Sequence, residues 1–199
     1  MAVHPFQCRC GTLRGEVDEP HRAMRAVCYC RDCRTYAHWL GQPQEVLDAV
    51  GGTDIVATHS RYVRLTAGAP QLACMSLSPR GLLRWYARCC DTPIANIPRD
   101  CKLPYVGLVH TCLERVQPLQ ASFSPVQMDI NTKSALGPAP HRGGPATMAR
   151  FGAMVLRLAA ARLTGSYRAG PFFDASGTPV APVHVPPRTE VDAARQAAR

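Results

Sequence analysis

The chain has 199 residues, 46% of them hydrophobic, and carries a formal charge of +9 at neutral pH. That length suits one domain with a real core, or a smaller domain with a long appendage, and the composition excludes wholesale disorder. No run approaches the roughly 18 apolar residues of a membrane-crossing helix. Met1 to Gln7 lack the basic and apolar regions of an export signal, so a cytoplasmic, reducing compartment is the expectation. The positive charge is mostly arginine, since only Lys102 and Lys133 are lysines. These arginines are scattered, without the aromatic-interleaved basic stripe of a nucleic-acid surface, and no nucleic-acid partner is expected.

In chain order, Cys8-Arg9-Cys10-Gly11 forms a tight knuckle in which Gly11 permits the turn. Thr12 to Val17 alternates apolar and polar as a half-buried strand. After Glu19-Pro20, the short strand Arg25-Ala26-Val27 delivers Cys28-Tyr29-Cys30-Arg31-Asp32-Cys33. Asp32 is a candidate cap for a brief helix running to Leu40, which Gly41 and Pro43 end. One or two helical turns follow over 44–50. Strand patterns recur at 55–58, 62–66, 72–77 and 82–87, the last delivering Cys89 and Cys90, and Tyr105 to Val109 is a closing strand. Residues 1–116 therefore read as a small, mainly β domain of antiparallel sheet. Residues 117–199 form an extension that opens with Pro/Gly-rich loop. Its best helix spans 146–164, where Met148, Phe151, Val155 and Leu158 recur at helical spacing and Arg150 and Arg157 share another face. That helix is expected to dock on the β domain or on a twin copy, as in a homodimer. The Pro-rich tail ends in a short Ala/Arg-rich helix.

The ten cysteines carry the chemistry. In a reducing compartment, clustered cysteines point to metal rather than disulfides. Thiolates bind zinc at about 2.3 Å; structural sites close with four protein ligands and catalytic ones use three. Cys8, Cys10, Cys28, Cys30, Cys33, Cys89 and Cys90 divide as four plus three, so two zincs are expected. Cys8 and Cys10 would join the Cys89-Cys90 end in a closed structural site. Cys28, Cys30 and Cys33 would hold the second, open one. Adjacent strand residues face opposite ways, so ligation by both Cys89 and Cys90 needs an irregular knuckle. His38, five residues past Cys33, is the alternative that would close the second site. Cys74, Cys101 and Cys112 read as small buried apolar residues. A three-thiolate zinc is a poor ioniser of water but binds a thiol as thiolate, which suits making or breaking a carbon–sulfur bond. Tyr36, His38 and His110 are candidate proton carriers. Arg31 and Arg34 flank the trio, either to meet carboxylates of a peptide thiol or as solvated charges.

Cys-x-Cys-Gly, then Cys-x-Cys-x-x-Cys, then Cys before a Thr-Pro turn resembles the glutathione-dependent formaldehyde-activating enzyme and centromere protein V superfamily over residues 6–116. The resemblance implies an antiparallel all-β zinc domain of the Mss4-like or β-tent type. It places Cys8, Cys10 and Cys90 in a structural zinc site. Cys28, Cys30 and Cys33 fall at a zinc linked to glutathione-adduct chemistry, which implies a carbon–sulfur lyase. The third motif departs: the pattern Cys-x-x-Cys-Gly-Thr is here Ala87-Arg88-Cys89-Cys90-Asp91-Thr92. The alternative to an enzyme is a non-catalytic zinc module that binds a protein partner through the extension.

Overall fold

The computed structural model describes residues 2–199. A hairpin of β1 (Val3–Gln7) and β2 (Arg14–Asp18) pairs through β2 with β5 (Val63–Ala67), giving a three-stranded antiparallel sheet. The body of the larger sheet comprises β3 (Met24–Cys28), β4 (Thr53–His59), β6 (Leu72–Met75), β7 (Leu83–Ala87), β8 (Thr92–Ile97) and β9 (Tyr105–Val109). These strands run antiparallel in the order β3-β4-β9-β8-β7-β6. The extension adds a short parallel strand at each edge: β10 (Met128–Ile130) beside β3, and β11 (Val183–His184) beside β6.

The mainly β expectation holds in part. Two antiparallel sheets form the body, but helix accounts for 33% of the chain against 27% strand. The helices are α1 (Arg31–Trp39), α2 (Pro43–Val46), α3 (His110–Glu114), α4 (Pro145–Thr164) and α5 (Arg188–Ala197). None is long and apolar enough to cross a membrane among the described residues.

One core joins the two sheets. Phe6, Leu13 and Val63 of the small sheet's side pack with Val56, Trp85, Ile94 and Leu108 of the large one. β8 is buried along its whole length, so Thr92-Pro93-Ile94-Ala95-Asn96-Ile97 lacks the alternation of a one-sided strand. A second cluster seats α5 against α1, with Val191 packed on Tyr36, Leu40 and Met75. Arg34, only 4% exposed, ties this arrangement together. It donates to the Tyr29 carbonyl at 3.0 Å, to the Ser134 carbonyl at 2.5 Å and to the Ala198 carbonyl at 3.0 Å. Arg34 is therefore neither solvated nor directed at a ligand carboxylate; it fastens the extension onto α1.

Candidate metal centres

The first centre sits where two hairpin ends meet. In the β1–β2 loop, the Cys8 N–H donates to the Leu13 carbonyl at 3.0 Å and the Gly11 N–H to the Cys8 carbonyl at 2.9 Å. Gly11 has φ +73°, which a side chain would resist. The Leu13 N–H points at Cys8 Sγ, 3.3 Å away. Opposite lies the turn between β7 and β8, with Asp91 at φ +53° and the Cys90 N–H donating to the Ala87 carbonyl at 3.2 Å. Because Cys89 and Cys90 occupy this turn rather than a regular strand, both thiols reach the same side. The Arg9 N–H, donating to Thr92 Oγ1 at 2.9 Å, latches the loops together.

The four sulfurs of Cys8, Cys10, Cys89 and Cys90 lie within 4.8 Å of one another. Individual separations are 3.5 Å for Cys8–Cys10, 3.7 Å for Cys8–Cys89, 3.3 Å for Cys10–Cys89 and 3.8 Å for Cys89–Cys90. A tetrahedral zinc with about 2.3 Å bonds spaces its sulfurs at roughly 3.8 Å, so the quartet suits that ion. Cys8 is buried while Cys10 and Cys89 are exposed. The Thr12 hydroxyl and N–H beside Cys10, followed by Cys89, pull the Cys10 thiol down to about 6. Burial pushes Cys8 and Cys89 up.

The second centre forms at the junction of β3 and α1. Sγ atoms of Cys28, Cys30 and Cys33 lie within 4.8 Å of one another, and no His, Cys, Asp or Glu joins them as a fourth ligand among the described residues. Cys28 and Cys33 are 3.8 Å apart and buried, and Cys30 is half-buried. The α1 cap is Cys30 itself rather than Asp32: its sulfur accepts the Cys33 N–H at 3.4 Å. A helix N-terminus favours negative charge, so this position supports a thiolate. Contact with neighbouring thiols and burial raise the Cys28 and Cys33 pKa values, which a bound cation would reverse.

Two residues outside the cysteine motif touch this centre, Arg84 and Asn131, and a third, Tyr105, lies close enough to feel its charge. Arg84 on β7 is 2% exposed. It places Nη1 3.9 Å from Cys33 Sγ and 2.9 Å from Asn96 Oδ1, with its guanidinium 5.1 Å from the centre of the Tyr36 ring. Of the other buried arginines, Arg25 pairs with Asp54, whereas Arg34 is met by backbone carbonyls. Arg84 has no carboxylate partner among the described residues, and the group facing it that could become an anion is the Cys33 thiol. Asn131, from the extension, donates Nδ2 to Cys28 Sγ at 3.5 Å. Tyr105 on β9 extends its ring over Gly107, where an added Cβ would lie 2.8 Å from the tyrosine oxygen. Burial, then the charges of Cys33 and Cys28, raise the Tyr105 pKa.

Residues 1–184 match the sequence profile of a family of unknown function, DUF6151. The chain belongs to that family. No curated protein matches it. Among solved structures, it is similar to a Rhodobacter sphaeroides protein determined by structural genomics as Northeast Structural Genomics target RhR83. The identity is 20% and the TM-score 0.40, over 61% of this chain and 98% of that one.

In this DUF6151 chain, all seven predicted ligands fall into the two expected groups, and Cys89 joins the quartet. Cys74 and Cys112 are buried apart from both groups, and Cys101 is half-buried. The candidate proton carriers fare differently. His38 stays outside the trio's ligand group. The Tyr36 hydroxyl donates to the Trp85 carbonyl at 3.1 Å, and His110 Nδ1 lies 3.3 Å from the Asp54 carbonyl. Arg31 is exposed. Arg84, Tyr105 and Asn131 were not legible as site residues. An arginine inside the apolar run Leu82-Leu83-Arg84-Trp85 was the one available signal, because β7 is covered on both faces and must bury it.

Proposed function

We propose that the chain is a two-zinc protein whose quartet is structural and whose trio serves carbon–sulfur chemistry on a small thiol adduct. The observation that carries the reading is Arg84, a buried cation against Cys33, in a trio of thiols that, among the described residues, has no fourth protein ligand and gives Arg84 no carboxylate. Three thiolates around a divalent ion leave one negative charge, which a single guanidinium neutralises; a fourth thiolate would leave an uncompensated buried charge. This favours a neutral or exchangeable fourth partner. When bound, zinc would supply the means to hold an incoming thiol as its thiolate.

The chain's own groups supply the rest. Cys28, Cys30 and Cys33 would hold the metal, and the α1 N-terminus and Asn131 N–H groups favour their thiolate forms. Arg84 balances the charge and fixes Cys33 through its second contact with Asn96. Tyr105, neutral, is the group we assign to donating a hydrogen bond to the oxygen of an S-hydroxymethyl adduct. The resemblance to formaldehyde-activating enzymes supports glutathione as the thiol, and the lyase assignment rests on that resemblance together with the trio.

The test is zinc content per chain under reducing conditions, before and after excess glutathione. Two zincs, one perturbed by the thiol, together with turnover of S-hydroxymethylglutathione, is the expected result. Two zincs indifferent to glutathione would overturn the lyase reading. That result would favour the second reading, a non-catalytic module binding a protein partner through its extension. The burial of Cys28 and Cys33 beneath Ile130 is what speaks for this alternative.

A further inference from the structure

The underside of α4 faces a feature unrelated to the cysteines. Two adjoining cavities, about 270 and 430 Å³, share Arg22, Met154 and Arg157 in their walls and form one trough. His59 lines one end, and His21, Gln127 and Arg150 line the other. No aspartate or glutamate contributes to either wall. Arg22 pairs with Glu19 and Arg162 with Asp100, but Arg150 and Arg157 have no carboxylate within ion-pair distance among the described residues.

Two residues that line this trough also carry a buried polar atom without a partner, His59 Nε2 and Gln127 Oε1. The His59 tautomer follows from its other nitrogen. Nδ1 accepts the Arg61 N–H at 3.1 Å, so Nε2 carries the hydrogen and is a donor. Burial and then Arg61 lower the His59 pKa to about 4, which keeps the ring neutral and this tautomer in place. Rotation of the Gln127 amide would exchange the unpartnered oxygen for N–H. An unpartnered donor beside unpaired guanidinium groups is the arrangement a polyanionic oxygen cluster satisfies.

We propose that this trough binds a phosphomonoester group, with Arg150, Arg157 and Arg22 meeting its charge and His59 Nε2–H donating to one oxygen. The inference is independent of zinc and of the thiol chemistry. Two sources could supply the same group. A free small phosphate compound would enter the trough alone. A phosphate headgroup would instead be presented at the surface of a lipid vesicle.

The zinc-loaded protein would be titrated with inorganic phosphate by calorimetry. In parallel it would be sedimented with phosphatidylcholine vesicles with and without phosphatidic acid. Arg150→Gln and Arg157→Gln, both at exposed positions, serve as variants, with zinc content and melting temperature as controls for folding. Saturable phosphate binding, weakened about tenfold by either substitution, supports a free phosphate compound. Sedimentation only with phosphatidic acid, lost in the variants, supports the headgroup. Binding of neither probe at millimolar concentration, or binding that both variants retain in full, overturns the proposal.

Discussion

The two cysteine groups are made of the same ligand atom yet are built in opposite ways. The quartet is a clasp between hairpin ends: short loops, two exposed cysteines, and thiols drawn from the β1–β2 loop and the β7–β8 turn. It joins the small sheet to the large one. The trio is set into the body of the protein, with one cysteine ending β3, one capping α1 and one in its first turn. Its neighbours come from β7, β9 and the extension. A clasp needs only its metal to hold two loops together, whereas an embedded centre needs charge balance from elsewhere in the fold. The difference between them is therefore mostly electrostatic.

The largest expected effect tests the clasp. A structural zinc contributes on the order of 10 kcal/mol to folding, comparable with a domain's whole stability. Cys10→Ser or Cys90→Ser is expected to abolish cooperative thermal unfolding by circular dichroism, while Cys30→Ser keeps a transition at reduced temperature. Equal losses from all three would erase the distinction between the centres. Next comes Arg84→Met. Removal of a partner that orients metal ligands costs about 10- to 100-fold in metal affinity, so chelator competition should show one zinc released that much more readily and the other unchanged. Loosening of both zincs equally would count against the assignment of Arg84 to the trio.

A smaller effect is expected from Tyr105→Phe. It removes the hydroxyl and leaves the ring, so adduct turnover should fall roughly tenfold or more, given the 10²- to 10³-fold cost of losing one hydrogen-bond donor to a reacting oxygen, with both zincs retained. Unchanged turnover would remove Tyr105 from the proposed chemistry. The mildest is Asn131→Ala, which deletes one N–H···S contact. It should weaken the trio's zinc by about fivefold, corresponding to a net hydrogen bond of about 1 kcal/mol, and leave the quartet's untouched in the same competition experiment.

The cysteine groups are legible in the sequence because their geometry is local: thiols two or three residues apart on a tight loop share a side whatever surrounds them. Cys89 is the instructive case. A strand would have turned it away from Cys90, and only the turn at Asp91 brings both inward. Partners that arrive from distant strands leave no such trace, which is why Arg84, Tyr105 and Asn131 were invisible and the nearer Tyr36, His38 and His110 stood in their place. Arg34 shows the same limit, since nothing near it announces that its three acceptors lie at residues 29, 134 and 198. Among the elements, α4 was readable from its periodicity, whereas fully buried β8, with Pro93 inside it, mimics a loop. The edge strands β10 and β11 are too short to carry a pattern at all.

Those edge strands have a consequence for how the protein is made. Every predicted metal ligand lies before residue 91, whereas the strands that cover β3 and β6 come from residues 128–130 and 183–184. During synthesis, the thiols emerge and can take up metal while both margins of the large sheet still lack their neighbours. Open margins are templates for pairing with other chains. A nascent chain stalled or cut after the ninth strand would therefore be a metal-competent but association-prone species, and the last third of the sequence acts as its built-in protection.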